Sequence, residues 1–491
     1  MKKFNLKNFT FNSSYGEQYK SDFISHRGAV KILESEEEVH IAITDKDNMQ
    51  LRFDLENFHK PKKTCFFLIS KAELATFIGE TVDIAPAKKT EKHEKDKHFA
   101  LDSITEGAPV VSIINAICIE AIQLESSDIH IEAHDDFVHI RYRIDGMLRT
   151  VKKIDKSIFL TISNRIKIMA NLNPLEQRLP QDGRMSVSID NKKIDLRISI
   201  IPIASGESIV MRIFNTSTKL LTIDELGFNK NDLNSIKTAI TNPYGLILLT
   251  GPTGSGKTTT LHALISSLPV NDLKIITIED PVEQLIPGVS QVQVNDEIDL
   301  TFDSMLRRVL RQDPNVIMVG EIRDTVTAEL ALRSALTGHL IFSTLHTNDS
   351  VSVVTRLVNM GLEPFLIAAT LRCSVAQRLV RKLCPSCKSK KPPNKKLKTL
   401  FKKYKVETDF VYENEGCSDC EDTGFKGRTI ISEVFPMDKT LEEMIIEKAP
   451  VIKLENYAQE SLSMHSMAYN ALLKTADGIT SFSEVEREVL F

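Results

Sequence analysis

Eight consecutive residues, GPTGSGKT from Gly251 to Thr258, carry the sharpest chemical signal in the chain. Glycines in such a run let backbone N–H groups curl around phosphate oxygens. Lys257 supplies a point charge toward the β- and γ-phosphates, and the Thr258 hydroxyl is placed to ligate Mg²⁺. Pro252, Thr253, Gly254, Ser255, Gly256 and Thr259 complete the phosphate-binding stretch. An apolar strand runs into it and a helix runs out, so a helix dipole adds its positive end. The pattern predicts binding of a nucleoside triphosphate.

Hydrolysis then needs carboxylates at the ends of neighbouring strands. NVIMVGEIRD sets Glu321 just beyond an apolar strand, where it can hold Mg²⁺ through water or polarise the attacking water. IITIEDPVE sets Glu279, Asp280 and Glu283 after another strand. Strand-end acids also simply face solvent, and that reading suits one of these three. HLIFSTLHTND brackets a buried strand with His339 and His346. A lone histidine there is more often structural, whereas two beside a phosphate loop point toward sensing the γ-phosphate. Arg307, Arg308, Arg311 and Arg323 surround the Glu321 strand, and an arginine supplied across a subunit boundary can stabilise transition-state charge.

Two CxxC pairs, Cys384/Cys387 and Cys417/Cys420, stand 29 residues apart. Each pair offers two thiolates to one ion, and four close a tetrahedral Zn²⁺ shell, which makes the metal structural. One pair alone would also fit a redox dithiol; the second favours zinc. Between the pairs, positions 388–405 hold nine lysines and read as a mobile, solvated loop. Contact with an acidic partner, lipid or nucleic acid is the lesser alternative for this run. Cys65, Cys118 and Cys373 sit alone in apolar surroundings, as buried free thiols do.

The elements that must position these groups read as an α/β pattern. GLILLT (245–250), KIITI (274–278), NVIMV (315–319) and HLIFSTL (339–345) are short, β-branched and almost wholly apolar. Strands buried on both faces of a parallel sheet look like this, with helices over 257–268 and 325–337 between them. Upstream, Pro109 is placed to open a helix with Val110, Ile114, Ile117, Ala121 and Leu124 at helical spacing. Strands are expected at 129–131, 137–144, 192–201 and 208–214, with a helix over 157–171. Arg141, Arg143, Arg197 and Arg212 alternate with apolar neighbours and should project from one sheet face. That face suits solvent, or an anionic ligand or partner. Residues 1–85 read as a small α+β module with strands VHIAI (39–43) and CFFLI (65–69) and a short helix at 71–80. The segment 86–98, PAKKTEKHEKDKH, is too polar to fold and should be a flexible linker, its His93 and His98 merely solvated.

Composition bounds these readings. The chain has 491 residues, enough for three or four domains, and a net charge of −4 that gives no whole-chain affinity for nucleic acid or anionic membrane. An odd count of 7 cysteines in this spacing argues against a secreted disulfide framework. No apolar run reaches the roughly 18 to 20 residues of a membrane span. MKKFNLKNFTF lacks the apolar stretch of a secretory signal. A soluble, intracellular, multi-domain protein is expected.

Several longer stretches make the sequence similar to a known family. SSDIHIE (126–132), RYRIDGML (141–148), RLPQDGR (178–184), GESIVMRIF (206–214), ITIEDPVE, LRRVLRQDPNVIMVGEIRD (306–324), TGHLIFSTLHTND (337–349), CPSC and GCSDCEDTGFKGR (416–428) occur in one order. This resembles the secretion ATPases of type II secretion and type IV pilus assembly, from about Phe99 to near the C-terminus. Ala133 stands where a proline is common in the family. The resemblance implies a RecA-like ATPase domain at 226–491, with a zinc-binding subdomain at 381–430 and a helical C-terminal part. It further implies a preceding α+β, PAS-like domain at 99–225 and a docking module at 1–85. It implies a homo-hexamer at the cytoplasmic face of the inner membrane. The expected partners are a membrane platform protein and a membrane adaptor, so membrane association is indirect. ATP with Mg²⁺ would be held by Lys257, Thr258 and Glu321, with Arg197, Arg212, Arg307 and Arg311 approaching the nucleotide or the subunit boundary. A DNA-handling helicase or translocase could use the same core. Such proteins stack bases on aromatic side chains. Here Trp is absent and aromatics, 6% of the chain, are not interleaved with the basic runs, so no direct nucleic-acid contact is expected.

Overall fold

The computed structural model describes residues 28–34, 37–46, 48–69, 110–189, 192–214 and 220–489, with 2–3, 82–83 and 491. The helix expected at 71–80, the linker at 86–98 and the domain start at Phe99 lie outside the described residues. The chain divides into two units, Met1–Ser217 and Thr218–Phe491.

In the first unit, alternating apolar residues build two sheets. A four-stranded sheet runs in the order Lys2–Lys3, Lys63–Leu68, Glu38–Ile43, Ala29–Glu34. Leu51 and Leu55 of the helix Met49–Phe58 pack on Ala29, Val39, Ile41 and Ile43. A seven-stranded sheet runs Val82–Asp83, Gln181–Ile189, Lys192–Ile203, Gly206–Phe214, Asp128–Ala133, Phe137–Ile144, Met147–Asp155. The helices Val110–Gln123 and Phe159–Met169 contribute Ile114, Ile117, Ile162 and Ile166 to one core with Ile129, Ile140, Ile198 and Met211.

Strand alternation sends arginines to the residues between these core positions. Arg184, Arg197, Arg212, Asp128 and Arg143 are successive cross-strand partners, so four guanidinium groups line one transverse row. Asp128 is the carboxylate among them; it accepts a hydrogen bond from Arg212 Nε at 2.9 Å and lies 3.7 Å from Arg143 Nε. Arg141, two residues from Arg143 on its strand, pairs with Glu132 instead.

The second unit is a seven-stranded α/β sheet. We label its strands β1 (Gly245–Thr250), β2 (Ile275–Glu279), β3 (Ser290–Gln293), β4 (Val316–Val319), β5 (Leu340–Leu345), β6 (Leu371–Leu383) and β7 (Phe425–Pro436). Their order is β3–β2–β4–β5–β1–β6–β7, with only the β6–β7 pair antiparallel. Every residue of β1, β2, β4 and β5 is buried, because helices cover both faces. Among those helices are α1 (Lys257–Ser266), α2 (Phe302–Val309) and α3 (Thr325–Leu336). The C-terminal part is helical, over 439–446, 451–461, 467–476 and 482–488.

Strands β6 and β7 are 13 and 12 residues long, about twice the core strands, and carry the cysteine pairs at one end. The lysine run beyond is not a mobile loop. Lys395–Tyr404 is a helix capped by the Asn394 side chain, and Leu397 and Phe401, one turn apart, are buried against Leu472. That i, i+4 apolar pair is what fixes a segment whose charge argues for solvent. Among the described residues, no helix is long and apolar enough to cross a membrane.

Candidate functional site

The phosphate loop leaves the carboxyl end of β1, an interior strand between β5 and β6, and α/β folds open their crevices at that end of the sheet. Gly251 has φ 141°, and a Cβ there would lie 2.5 Å from the Gln377 carbonyl oxygen and 2.8 Å from Ser255 Oγ. Gly256, at φ 86°, occupies the N-cap of α1, where a side chain would force the left-handed strain that glycine avoids. The loop therefore turns its amides and the start of a ten-residue helix toward one point. Lys257 Nζ donates to the carbonyls of Gly251 at 2.8 Å and Pro252 at 3.1 Å. Burial, with some help from the Arg378 charge, pulls the Lys257 ammonium below its ordinary pKa, while Glu321 opposes that shift.

Glu321 follows β4 by two residues and is held by a guanidinium and an imidazole. Arg323 pairs with it directly, and His346 Nε2 lies 3.4 Å from its other carboxylate oxygen. Arg323 also reaches Asp280 at 3.7 Å, so Glu321, Arg323, Asp280 and His346 share one edge of the sheet. Glu279 turns away from that group. It is buried, and its carboxylate meets His262 of α1 at 3.0 Å, Thr277 Oγ1 at 2.6 Å and Gln291 Nε2 at 2.9 Å. Burial would raise its pKa, but the bonds from His262, Thr277 and Gln291 outweigh that and hold the carboxyl below its usual value. Glu279 thus links β2 to the phosphate-binding helix.

Other candidates stand apart. Glu283 is exposed on the loop beyond β2. His339 precedes β5 at the edge opposite the phosphate loop, its carbonyl taking the Gly245 N–H at 3.0 Å. Six strand residues, about 20 Å, separate that edge from His346. The structure does not bring His339 to the loop. Arg307 and Arg311 lie on or just after α2, exposed, with Arg311 donating to the Arg307 carbonyl at 3.0 Å. Arg197 and Arg212 belong to the arginine row of the first unit.

The four cysteines converge. Cys384 and Cys417 sulfurs lie 3.9 Å apart, Cys387 and Cys420 3.8 Å, and Cys417 and Cys420 3.7 Å. A tetrahedron with Zn–S bonds of about 2.3 Å has edges of about 3.8 Å. The donor set therefore fits zinc. Backbone N–H groups of Gly424 (3.1 Å) and Cys417 (3.3 Å) point at Cys420 Sγ, as at a thiolate.

A family model described as "Type II/IV secretion system protein" matches residues 103–487, most of the chain. The chain belongs to this family. Among curated proteins it is 43% identical over 417 residues to the type IV pilus assembly ATPase PilB of Myxococcus xanthus, covering 84% of this chain and 73% of that one. It is 43% identical over 382 residues to the type II secretion system ATPase E of Vibrio cholerae, covering 78% and 76%. Among solved structures, the Legionella pneumophila ATPase DotB superposes with a TM-score of 0.60 at 19% identity, over 79% of this chain and 97% of that one. The pilus retraction motor PilT with bound ADP gives 0.52 at 24% identity, over 76% and 96%. These two likenesses show a RecA-like fold, and membership of the family makes the chain an ATP hydrolase.

Three features of this secretion-family ATPase escaped sequence reasoning. His262 is the buried partner of Glu279. Gln377, fully buried on β6, donates from Nε2 to the Ser255 carbonyl at 2.7 Å inside the phosphate loop. Thr250 Oγ1 receives the Thr347 N–H at 2.7 Å, tying the end of β1 to the loop after β5. A polar glutamine inside the apolar run CSVAQRLV was a readable signal for the second; the others had none.

Proposed function

We propose that this chain is a cytoplasmic, ring-forming ATPase motor that drives assembly of a pilus or pseudopilus at the inner membrane. The observation that carries the reading is its extensive similarity to pilus-assembly and type II secretion ATPases, with phosphate loop and cysteine pairs both intact. Six copies would form the ring. Residues 1–85 would dock on a membrane adaptor and the rest would push on a platform protein, so membrane contact is indirect and nucleic acid plays no part.

Within each subunit, loop amides from Gly251 to Thr259 would cradle the phosphates. Lys257 would leave the Gly251 and Pro252 carbonyls to neutralise the β- and γ-oxygens. Mg²⁺, when bound, supplies charge neutralisation on the triphosphate; Thr258 would hold it, with Glu321 through water. Glu321, oriented by Arg323 and His346, would align and deprotonate the attacking water. Asp280 positions Arg323, Glu279 holds α1 to β2, and Arg197, Arg212, Arg307 and Arg311 would serve the nucleotide or the boundary between neighbouring subunits. Cys384, Cys387, Cys417 and Cys420 would bind one structural zinc.

The test pairs a purified and a cellular measurement. The assembled chain with Mg²⁺ should hydrolyse ATP, Lys257→Ala should not, and cells carrying Lys257→Ala should lose the surface filament or the secreted protein. Normal assembly or secretion with the hydrolysis-dead variant would end the motor reading.

A further inference from the structure

Beside the phosphate loop stands a cation that no part of the mechanism above employs. Strand β6 runs parallel to β1, with Ala376 opposite Thr250, so Gln377 and Arg378 continue alongside the first residues of the loop. Arg378 Nη2 donates to the Asn348 carbonyl at 3.2 Å, and Nη1 donates to the Gln377 carbonyl at 3.2 Å. The same Nη1 would lie 3.2 Å from a Cβ built on Gly251, so the guanidinium is pressed against the loop's first residue. Lys257 holds the Gly251 carbonyl. The loop's first turn is thus flanked by Lys257 and by Arg378.

Asn348 belongs to the loop after β5, two residues from His346, which contacts Glu321. In that loop Asp349 caps the next helix through the Ser352 N–H at 2.7 Å, and Ser350 binds Glu433 through its N–H at 3.0 Å and its hydroxyl at 2.7 Å. The segment is therefore pinned on its far side. The carboxylates whose fields reach Arg378 are Glu488, Glu433 and Asp349, all on elements packed around it.

We propose that Arg378 is a positioning residue for ATP hydrolysis: its guanidinium fork fixes the distance between the phosphate loop and the His346–Glu321 group. Gln377 braces the same loop from within the sheet through Ser255. Nucleotide affinity rests mainly on the loop amides, which stay in place without Arg378. The chemical step depends on where Glu321 stands relative to those amides, and a misplacement of about 1 Å costs on the order of 100-fold in such steps. A lysine keeps the charge but offers a point donor in place of a two-armed fork.

The inference rests on the ATPase reading, and the experiment separates the two. Steady-state ATP hydrolysis and fluorescent-nucleotide binding are measured on the full, assembled chain with Mg²⁺ for wild type, Lys257→Ala, Arg378→Gln and Arg378→Lys. Arg378→Gln is expected to lower kcat about 10- to 100-fold, with KM and nucleotide affinity within about threefold. Arg378→Lys should fall between, recovering only part of the loss. Turnover by Arg378→Gln within twofold of wild type overturns the proposal, as does a loss expressed in KM with kcat retained. Full recovery in Arg378→Lys would assign the effect to charge and overturn the fork. A wild type as inactive as Lys257→Ala would instead reject the ATPase reading itself.

Discussion

Replacing Cys417 with serine removes one of the four sulfurs that meet at 3.7–3.9 Å separations, and the consequence can be sized. A metal joining the two CxxC pairs closes a loop of 29 residues. Treated as a cross-link, such a closure is worth roughly 3–4 kcal/mol of unfolded-chain entropy. Local opening of the subdomain should therefore rise on the order of several hundred-fold without the metal. The opening should stay local, because Leu397 and Phe401 are still buried against Leu472 and β6 is paired with β1 and β7. Elemental analysis should find about one zinc per wild-type chain and well under half of that in Cys417→Ser. Hydrogen exchange should speed up across 384–424 while the β1 and β5 amides keep their protection. A Cys417→Ser protein that retains a full equivalent of zinc, or exchanges at the wild-type rate, would refute the four-thiolate centre.

Glu321→Gln should bind ATP normally yet hydrolyse it about 100- to 1,000-fold more slowly, since the isosteric amide cannot take a proton from water; equal single-turnover rates would move the base elsewhere. His346→Ala should slow hydrolysis at least tenfold more than His339→Ala does, because only His346 reaches Glu321; kcat for both variants decides this. Asp232 supplies a pH test. Burial lifts its pKa from 3.8 to about 6, so the folded state favours the protonated acid and loses stability as pH rises through that interval. The stability advantage of Asp232→Asn over wild type should therefore grow by about 2 kcal/mol between pH 4 and pH 7. Denaturant titrations at the two pH values measure it, and a difference that shrinks with pH would contradict the sign. Gly251→Ala, whose new Cβ would sit 2.5 Å from the Gln377 carbonyl, should abolish nucleotide binding, as equilibrium titration would show.

The ATPase core was the legible part because its strands are buried on both faces, and continuous apolar runs of four to six residues have few other uses. The phosphate loop was equally plain, since its function is written in contiguous residues. Legibility fell where partners are distant in sequence. The Lys167 ammonium, completely buried and bonded to Glu207 at 2.6 Å and the Glu176 carbonyl at 2.7 Å, looks from sequence like a surface residue of an amphipathic helix. Glu279 shows the same limit. Its place after a strand matches a carboxylate at the nucleotide, yet the pairing with His262, 17 residues away, decides where it points. The lysine run misled for another reason: charge dominates its composition, and two apolar residues one turn apart were enough to seat it.

The long β6–β7 ribbon has a mechanical consequence. Its pairing with β1 ends at Ala376, so the seven residues to Leu383 overhang the sheet by about 23 Å before the cysteine cluster begins. Val380 and Ile431 of that ribbon pack on Met467, Ala471 and Val485 of the C-terminal helices, so ribbon and helices form one body whose base adjoins the phosphate loop. A tilt of about 10° at that base would carry the cysteine end through about 4 Å.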